Sequence, residues 1–397
     1  MPYSAPATVT SAVSPPRIES SRRTSAPRGL RLELRPAVLH PREIPLIVAV
    51  EALMEGLAMG ATDEFAGQMV REHLHTGGKR LRARLAIAAL DALGGRAELT
   101  VPWAAACELL HNATLIHDDV QDGDRTRRGH PTVWARHGRA QAINAGDLLL
   151  MLPFLAIDHV QADAELRWTL GRTLATCAAA IARGQTAELV LSANRDATWG
   201  AYHHAVAGKT GALFQLPVEG SALMAGRSAE EARWLSSAFQ PLGLLFQMQD
   251  DVLDLYGDKG RGARGSDLRE GKISVLVIEH LASTPADAEW LWALLAAPRE
   301  QTSSAQIDEA IRRFRSGGAL SAAVARIERE AAAVLESPAL ATVPGLWALA
   351  AALVDKVLTP IAHIMAEHGV AGYGAHSPLP HSRAISVSAA EAMEASR

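Results

Sequence analysis

Two acidic clusters with the same internal spacing are the residues in this chain most able to do chemistry. They lie in the stretches LIHDDVQDGD and FQMQDDVLD, and their aspartates are Asp118, Asp119, Asp122, Asp250, Asp251 and Asp254. In each cluster the first and last aspartates are four positions apart, so on an α-helix they lie on one face, one turn apart. Carboxylates this close repel one another and raise each other's pKa unless a cation lies between them.

The chemistry that this arrangement favours is the binding of Mg²⁺ together with a diphosphate. Mg²⁺ prefers hard oxygen ligands and usually binds through one or two carboxylates plus substrate phosphates. A solvated helix end would explain one such cluster, but it explains less well two clusters that are each embedded in apolar sequence. A calcium loop fits poorly, because the alternating loop acids and the terminal Glu are missing. The repeated spacing therefore predicts two clusters that face each other across a cavity.

Four basic segments accompany the acidic clusters. They are GGKRLR, RTRRGHPT, GKTG and REGKIS, and each contains at least one glycine that interrupts a helix and frees the backbone to approach an anion. Lys and Arg supply charge-assisted hydrogen bonds to phosphate oxygens. Any one of these segments could simply complement a helix dipole, but the four together with two acidic clusters indicate a diphosphate site.

The elements that must position these residues are helices. Apolar residues recur at helical spacing through most of the chain, and several segments are apolar nearly all round, as in the interior of a large bundle. β-branched runs of period two are scarce. We therefore predict a single all-α catalytic domain over residues 41–370, with a flexible C-terminal tail over residues 371–397.

Residues 1–40 are rich in Ser, Pro, Ala and Arg and have little apolar periodicity. This composition predicts a disordered N-terminal extension, because it cannot bury enough surface to order itself. Its Arg and Ser content with few acids is also typical of an organelle transit peptide. A plain tail is the favoured interpretation of the two.

The bulk composition excludes several classes of protein. The chain has 397 residues, a formal net charge of −4 and 48% hydrophobic residues, which is typical of a soluble globular protein and not of a nucleic-acid binder. Its two cysteines, Cys107 and Cys177, lie in apolar sequence, which fits a reducing compartment and hence the cytoplasm. The longest apolar run, LLLMLPFLAI, is too short to span a bilayer and contains a proline, so we expect no transmembrane segment.

From GGKRLR to REGK, the ordered motifs resemble those of the trans-isoprenyl diphosphate synthase (polyprenyl synthetase) family. The motifs are GGKRLR, LLHNATLIHDDVQDGDRTRRGHPTVW, INAGDLLL, GQTAEL, GKTGALF, FQMQDDVLD and GSDLREGK. The resemblance implies the all-α type I isoprenoid synthase fold, a helical bundle around a central apolar cavity, and a homodimer. It also implies that isopentenyl diphosphate condenses with an allylic diphosphate (dimethylallyl, geranyl or farnesyl) to give a linear polyprenyl diphosphate.

The resemblance also assigns roles residue by residue. The six aspartates named above would hold Mg²⁺, three ions in all, against the allylic diphosphate. The residues contacting that diphosphate would be Arg127, Lys209 and Lys272. The residues binding isopentenyl diphosphate would be Lys79, Arg82, His111 and Arg128. Thr210 and Gln247 would lie near the developing carbocation, so that Arg127, Lys209, Thr210 and Gln247 form the catalytic set.

The length of the prenyl product should depend on the residues one turn before the first acidic cluster. In the family an aromatic residue there limits the product to fifteen carbons, whereas Ala113 and Thr114 are small. We therefore expect geranylgeranyl diphosphate (C20), with a longer product (C25 or more) left open. A floor supplied by another helix, at Phe214 or Phe154, would instead give farnesyl diphosphate (C15).

Two further alternatives concern the reaction itself. A class I terpene cyclase would pair one aspartate-rich motif with an Asn/Ser/Glu triad, whereas here a second DDxxD is present. A non-catalytic subunit of a heteromeric synthase would typically lack one acidic motif, and both are intact. The synthase is therefore the favoured interpretation.

Overall fold

The structure, a computed structural model, describes residues 43–60, 64–195, 197–257 and 264–368. The predicted N-terminal extension (1–40) and C-terminal tail (371–397) lie outside the described residues. The predicted all-α fold class is confirmed, because the regular structure of the described residues is helical apart from one hairpin of two two-residue strands.

The first half of the chain contains the helices that carry the first acidic cluster. The helices are α1 (Glu43–Met59), α2 (Phe65–His75), α3 (Leu81–Ala92), α4 (Val101–Asp122), α5 (Val133–His137), α6 (Arg139–Asp158) and α7 (Ala164–Asn194). A 3₁₀ turn, Ala97–Thr100, precedes α4. Strands β1 (Thr126–Arg127) and β2 (His130–Pro131) follow α4 and pair antiparallel.

The second half carries the second cluster on α11. The helices are α8 (Trp199–Val206), α9 (Ala212–Met224), α10 (Ala229–Ser237), α11 (Gln240–Tyr256), α12 (Ser266–Arg269), α13 (Val275–Ser283), α14 (Ala288–Leu295), α15 (Ser304–Ser316), α16 (Ala319–Leu335), α17 (Pro338–Ala341), α18 (Pro344–Leu358) and α19 (Ala362–Glu367). A π-helical turn, Ala207–Gly211, joins α8 to α9. The remaining 3₁₀ turns are Pro285–Asp287, Arg299–Gln301 and Thr359–Ile361.

Helix α4 lies in the middle of the bundle, and glycines on its neighbours allow close approach. A Cβ at Gly146 of α6 would lie 2.3 Å from His117 Nε2, and one at Gly220 of α9 would lie 2.0 Å from the Trp103 ring. Trp103 is fully buried, and its indole N–H donates to the Pro217 carbonyl at 3.1 Å. Because α4 is fixed on several sides, its C-terminal turn and the aspartates there have little freedom to move.

A similar close approach holds the π-helical turn that carries the GKTG motif. A Cβ at Gly184 of α7 would lie 2.2 Å from the Lys209 backbone nitrogen, and one at Gly243 of α11 would lie 2.5 Å from the Gly211 Cα. The turn is therefore pressed between α7 and α11. A π turn changes side-chain directions within a helix and is frequent at functional sites.

Two helical segments, Arg139–Asp158 and Pro344–Glu367, are long and apolar enough to cross a membrane by length and composition alone. In each, 44% of the apolar window is buried inside the bundle, and core helices of soluble proteins pass the same test of length and composition. This is weak support for a membrane span. That the chain has no transmembrane segment stays a prediction.

The contact between Gly220 and Trp103 provides a test of this packing. We expect Gly220→Ala to lower the free energy of unfolding by about 1–3 kcal/mol, because overpacking a full core costs more than the gain in helix propensity. The measurement is urea unfolding followed by circular dichroism. Gly56→Ala on α1 is the matched control, since a Cβ there meets nothing within 4 Å, and it should be neutral or stabilising. Equal behaviour of the two variants would contradict the packing described.

Candidate active site

The ends of α4 and α11 are joined by the segment that follows the second acidic cluster. Lys272 donates a hydrogen bond to Asp122 Oδ2 at 2.9 Å. Asp251 on α11 accepts a hydrogen bond from the backbone N–H of Val275 at 2.8 Å. The segment between Lys272 and Val275 is thus anchored on α11 and reaches across to the end of α4, so the two clusters belong to one site.

Asp118 and Asp122 lie beside lysines that come from distant parts of the chain. Lys209 Nζ is 3.7 Å from Asp118 Oδ1, and Lys272 Nζ is 2.9 Å from Asp122 Oδ2. Burial raises the pKa of Asp118, the Lys209 ammonium group opposes this rise, and the carboxylates of Asp122 and Glu188 add to it. This face of α4 is therefore a place where cations are stabilised.

Asp119 points elsewhere and is paired with Arg127 of the hairpin. The Arg127 Nε donates to both carboxylate oxygens at 2.9 and 3.0 Å, and its terminal nitrogen donates to Oδ1 at 2.6 Å. Asp119 is 1% exposed. Burial raises its pKa to about 6 against the opposing effect of Arg127. The structure therefore places Arg127, predicted to contact a diphosphate, on a carboxylate of the first cluster.

In the second cluster, Asp251 is held by groups from three elements. Its oxygens accept from the Tyr202 hydroxyl at 2.8 Å, from Gln247 Nε2 at 2.9 Å and from the Val275 backbone. Burial raises the pKa of Tyr202, and the Asp251 carboxylate raises it further. Tyr202 therefore acts at this site as a hydrogen-bond donor that orients Asp251.

Asp254 and Asp250 have different surroundings. Asp254 is 4% exposed, and its carboxylate accepts from the Ser266 hydroxyl at 2.7 Å and the Asp267 backbone N–H at 3.2 Å. It thereby fixes the start of α12, the helix that leads to Lys272. Asp250 is half-buried on the same helix face as Asp254.

Lys209 lies on the π-helical turn and has a strong partner on α7. Its Nζ donates to Glu188 Oε2 at 2.6 Å. Burial works against the charge of Lys209, but Asp118 and Glu188 outweigh it and raise the pKa of this lysine. The pKa of Lys272 is raised in the same way, by Asp122 and Glu270 against burial. Both lysines are therefore cationic at neutral pH.

The donor set fits a divalent metal ion. Asp118, Asp122 and Glu188 present hard carboxylate oxygens, and the two lysine ammonium groups beside them show that a positive charge is favoured there. Within the ranges described, however, no three Asp, Glu, His or Cys side chains are gathered into a complete metal site. Binding of a metal would require Lys209 and Lys272 to release these oxygens to it.

A second cationic cluster lies at the start of α3. Arg128 donates to the Gly77 carbonyl, and a Cβ at Gly78 would lie 2.7 Å from the Arg128 guanidinium. Gly78 has a φ of +141°, which also favours glycine. The GGKRLR motif and the RTRRGHPT motif therefore meet here, and Lys79 is exposed beside them.

Arg82 and His111 form the buried part of the same cluster. Arg82 is 8% exposed, and its guanidinium lies 5.0 Å from the centroid of the Phe214 ring. Burial lowers the pKa of His111 well below its ordinary value, and Arg82 and Arg128 lower it further. Among the described residues, His111 Nδ1 and Arg82 Nε are buried without a hydrogen-bond partner. Unpartnered buried nitrogens beside several arginines favour an anion.

A small cavity opens beside Asp251 of the second acidic cluster. Its lining residues are Glu188, Leu191, Tyr202, Ala205, Val206, Gln247, Asp251, Asp267, Lys272, Ile273 and Ser274. Gln247 lies in it and donates to Asp251, whereas Thr210 is half-buried on the π-helical turn next to Lys209. The cavity has one polar side, facing the lysine and the carboxylates, and one apolar side.

The two residues predicted to set product length lie on the inner part of α4. Ala113 is fully buried, and Thr114 is half-buried with its hydroxyl donating to the His111 carbonyl at 2.7 Å. Phe214 is buried next to Arg82, whereas Phe154 is 38% exposed on the outer face of α6. Phe154 is therefore poorly placed to close the interior of the bundle.

The sequence analysis missed four residues that take part in the site. They are Glu188, Tyr202, Glu270 and Arg299. Glu188 lies in the motif GQTAEL and Glu270 in GSDLREGK, so a signal existed for these two, although no role was drawn from it. Nothing in the local sequence around Tyr202 or Arg299 indicates their partners, which come from other helices.

Comparison with known proteins agrees with the geometry. The family profile described as "Polyprenyl synthetase" matches residues 63–314, more than half of the chain. The chain is 38% identical over 216 residues to the "Short chain isoprenyl diphosphate synthase" of Methanocaldococcus jannaschii, an alignment covering 54% of this chain and 65% of that protein. It is 36% identical over 232 residues to the "Geranylgeranyl diphosphate synthase" of Methanosarcina mazei, covering 58% and 71%.

Solved structures of the same kind superpose on it. The crystal structure of a polyprenyl synthase from Caulobacter crescentus, complexed with calcium and isoprenyl diphosphate, matches with a TM-score of 0.71 and 28% identity. The match covers 80% of this chain and 95% of that one. The chain therefore belongs to the polyprenyl synthetase family of prenyltransferases, and its helical bundle is the type I isoprenoid synthase fold.

Proposed function

We propose that this protein is a Mg²⁺-dependent trans-prenyltransferase that joins isopentenyl diphosphate to an allylic diphosphate and produces geranylgeranyl diphosphate (C20). The observation that carries the proposal is the placement of two separate charged sites around one end of α4. Carboxylates and lysines form one of them, and Arg82, His111 and Arg128 form the other. Two diphosphates, one bound through metal and one through cations alone, match these sites.

The chain's own residues would act mainly through charge and position. Bound Mg²⁺, which we propose to be three ions, would supply positive charge to the leaving diphosphate. Lys209 and Lys272, freed from Asp118 and Asp122, would donate to its oxygens as the allylic C–O bond breaks and the diphosphate leaves with the electron pair. The double bond of isopentenyl diphosphate then forms the new carbon–carbon bond, and the departing diphosphate takes the proton that is lost.

Binding and exclusion of water fall to other residues. Arg82, Arg128 and the neutral His111, with Lys79 at the exposed edge, would hold isopentenyl diphosphate beside the reacting carbon, and this proximity supplies much of the rate. Gln247 and Thr210 would place their side-chain dipoles near the allylic cation. The apolar side of the cavity would keep water from the cation, which it would otherwise quench.

Two observations support the C20 product. Ala113 and Thr114 are small, and the Methanosarcina mazei relative is named a geranylgeranyl diphosphate synthase, whereas the Methanocaldococcus jannaschii relative is named only a short-chain synthase. A C15 or a longer product remains the alternative outcome of a product analysis.

We also propose that the protein is a cytoplasmic homodimer. Large apolar side chains on α6 and α7 are exposed, and they are Ile143, Met151, Phe154, Leu155, Trp168, Leu189 and Val190. Exposed apolar patches of this kind mark interaction surfaces. Both cysteines are free and buried, in keeping with a reducing compartment.

The first test concerns the reaction. Purified protein with Mg²⁺, isopentenyl diphosphate and farnesyl diphosphate should give a linear C20 diphosphate, and Asp122→Asn should lower kcat by at least about 100-fold, because the metal ligand is lost. Asp355→Asn, at an exposed position of α18, is the control and should retain activity. A cyclic hydrocarbon product would identify a cyclase, and no turnover by the wild-type protein would refute the proposal.

The second test concerns product length. Ala113→Phe should shorten the main product by one or more isoprene units, because the ring would fill the path that runs inward from Asp118. Chain length is measured by chromatography of the extracted, dephosphorylated products. Because position 113 is fully buried, Ala113→Leu serves as a milder second variant, and the thermal midpoint is recorded for both. An unchanged product from a folded Phe variant would exclude this path.

The third test concerns assembly. Met151→Asp on α6 should shift the protein from dimer to monomer in sedimentation velocity, because a carboxylate buried in an apolar interface lacks a partner. Trp234→Asp on α10 is the control, since Trp234 is also exposed (45% against 56%) and α10 packs on α9 and α17. Equal sedimentation of the wild type and the Met151 variant would contradict a dimer through this face.

A further inference from the structure

A closed ring of charged groups lies at the mouth of the site, and one member comes from outside the recognised motifs. Lys272 Nζ is 2.9 Å from both Asp122 Oδ2 and Glu270 Oε2. Arg299 completes the ring: its terminal nitrogen is 3.1 Å from Glu270 Oε1 and 3.3 Å from the backbone carbonyl oxygen of Asp122. The same nitrogen is 3.5 Å from Asp124 Oδ1. Arg299 thus contacts both the end of α4 and the segment that carries Lys272.

A tight backbone contact places Arg299 at this position. A Cβ at Gly271 would lie 2.6 Å from the carbonyl oxygen of Leu295, the last residue of α14, and Gly271 has a φ of +70°. The Lys272 segment therefore packs directly on the end of α14, four residues before Arg299. This contact places the 3₁₀ turn that begins at Arg299 at the mouth of the site.

The contacts of Arg299 differ from those of Lys272 in one respect. Lys272 holds the carboxylate of Asp122, the group that a metal would take, so this contact is lost when the proposed substrate complex forms. Arg299 holds the Asp122 backbone carbonyl and Glu270, neither of which is an expected metal ligand. Its contacts can therefore persist with and without substrate. Glu270 is 11% exposed, so its interaction with Arg299 is less screened than an exposed ion pair.

We propose that Arg299 is a positioning residue that, through Glu270, keeps Lys272 within reach of the allylic diphosphate after Asp122 has turned to the metal. The inference rests on the proposed function. It assigns a role in diphosphate binding to a residue on the turn after α14, which touches no substrate itself. Removing Arg299 should weaken diphosphate binding and leave the chemical step and the fold largely intact.

The test compares Arg299→Gln with Arg227→Gln, a matched control. Arg227 pairs with Glu231 at 2.9 Å and is 40% exposed, as is Arg299, but it lies after α9, away from the site. We expect Arg299→Gln to raise the KM for the allylic diphosphate about fivefold, the size of one partly exposed ion pair, with kcat within about twofold. The control should leave both constants and the thermal midpoint unchanged.

A double-mutant cycle separates positioning from a general loss of stability. If Arg299 acts through Glu270, Arg299→Gln combined with Glu270→Gln should raise KM no more than Glu270→Gln alone. The proposal would be overturned if the effects of the two substitutions on KM multiplied in the double variant. An unchanged KM in a folded Arg299 variant would also overturn it. Binding of Mg²⁺ with inorganic pyrophosphate, measured by calorimetry, gives a readout without turnover. Suppose that the wild-type protein binds pyrophosphate but makes no prenyl product, and that Arg299→Gln weakens pyrophosphate binding. This result would refute the proposed function and keep this inference.

Discussion

The structure of this site depends on the repulsion among carboxylates that the fold brings together. Asp118, Asp122 and Glu188 would destabilise one another if left alone, and the rise in the pKa of Asp118 through burial and its acidic neighbours reflects this. Lys209 and Lys272 offset the repulsion from the opposite side. These ion pairs provide partners for the carboxylates without metal. In the proposed complex, the cations of a metal–diphosphate would take the place of the lysines, and its anionic oxygens would take the place of the carboxylates.

The remaining helices hold these charges at fixed distances. Lys209 reaches Asp118 because a π-helical turn is pressed between α7 and α11, where glycines allow the backbones to touch. Lys272 reaches Asp122 because Asp251 and Asp254 fix the segment from Ser266 to Val275 to α11. Asp251 and Asp254 thus use several of their hydrogen-bond acceptor sites to position the segment that carries Lys272. Carboxylate oxygens with several lone pairs can do this and still offer a position to a metal.

Separation of the two charged sites would let the proposed reaction bind its two diphosphates in different ways. Under the proposed function, Arg82, Arg128 and the neutral His111 would bind a diphosphate through cationic and neutral donors, while the α4 aspartates would bind one that carries metal. His111 stays neutral because burial and the neighbouring arginines lower its pKa. It therefore offers an N–H donor without adding a further positive charge to the cluster.

Local periodicity and residue chemistry were enough to predict the helical class, the spacing that puts Asp118 and Asp122 on one helix face, and the glycine-flanked basic motifs. They also showed the family resemblance, which the comparisons confirm. Which charges meet could be learned only from the folded protein. Local sequence does not show that Arg127 pairs with Asp119, that Tyr202 donates to Asp251, or that Arg299 lies 3.1 Å from Glu270. Those partners lie on different elements of the fold, and their distances are set by how these elements pack around α4.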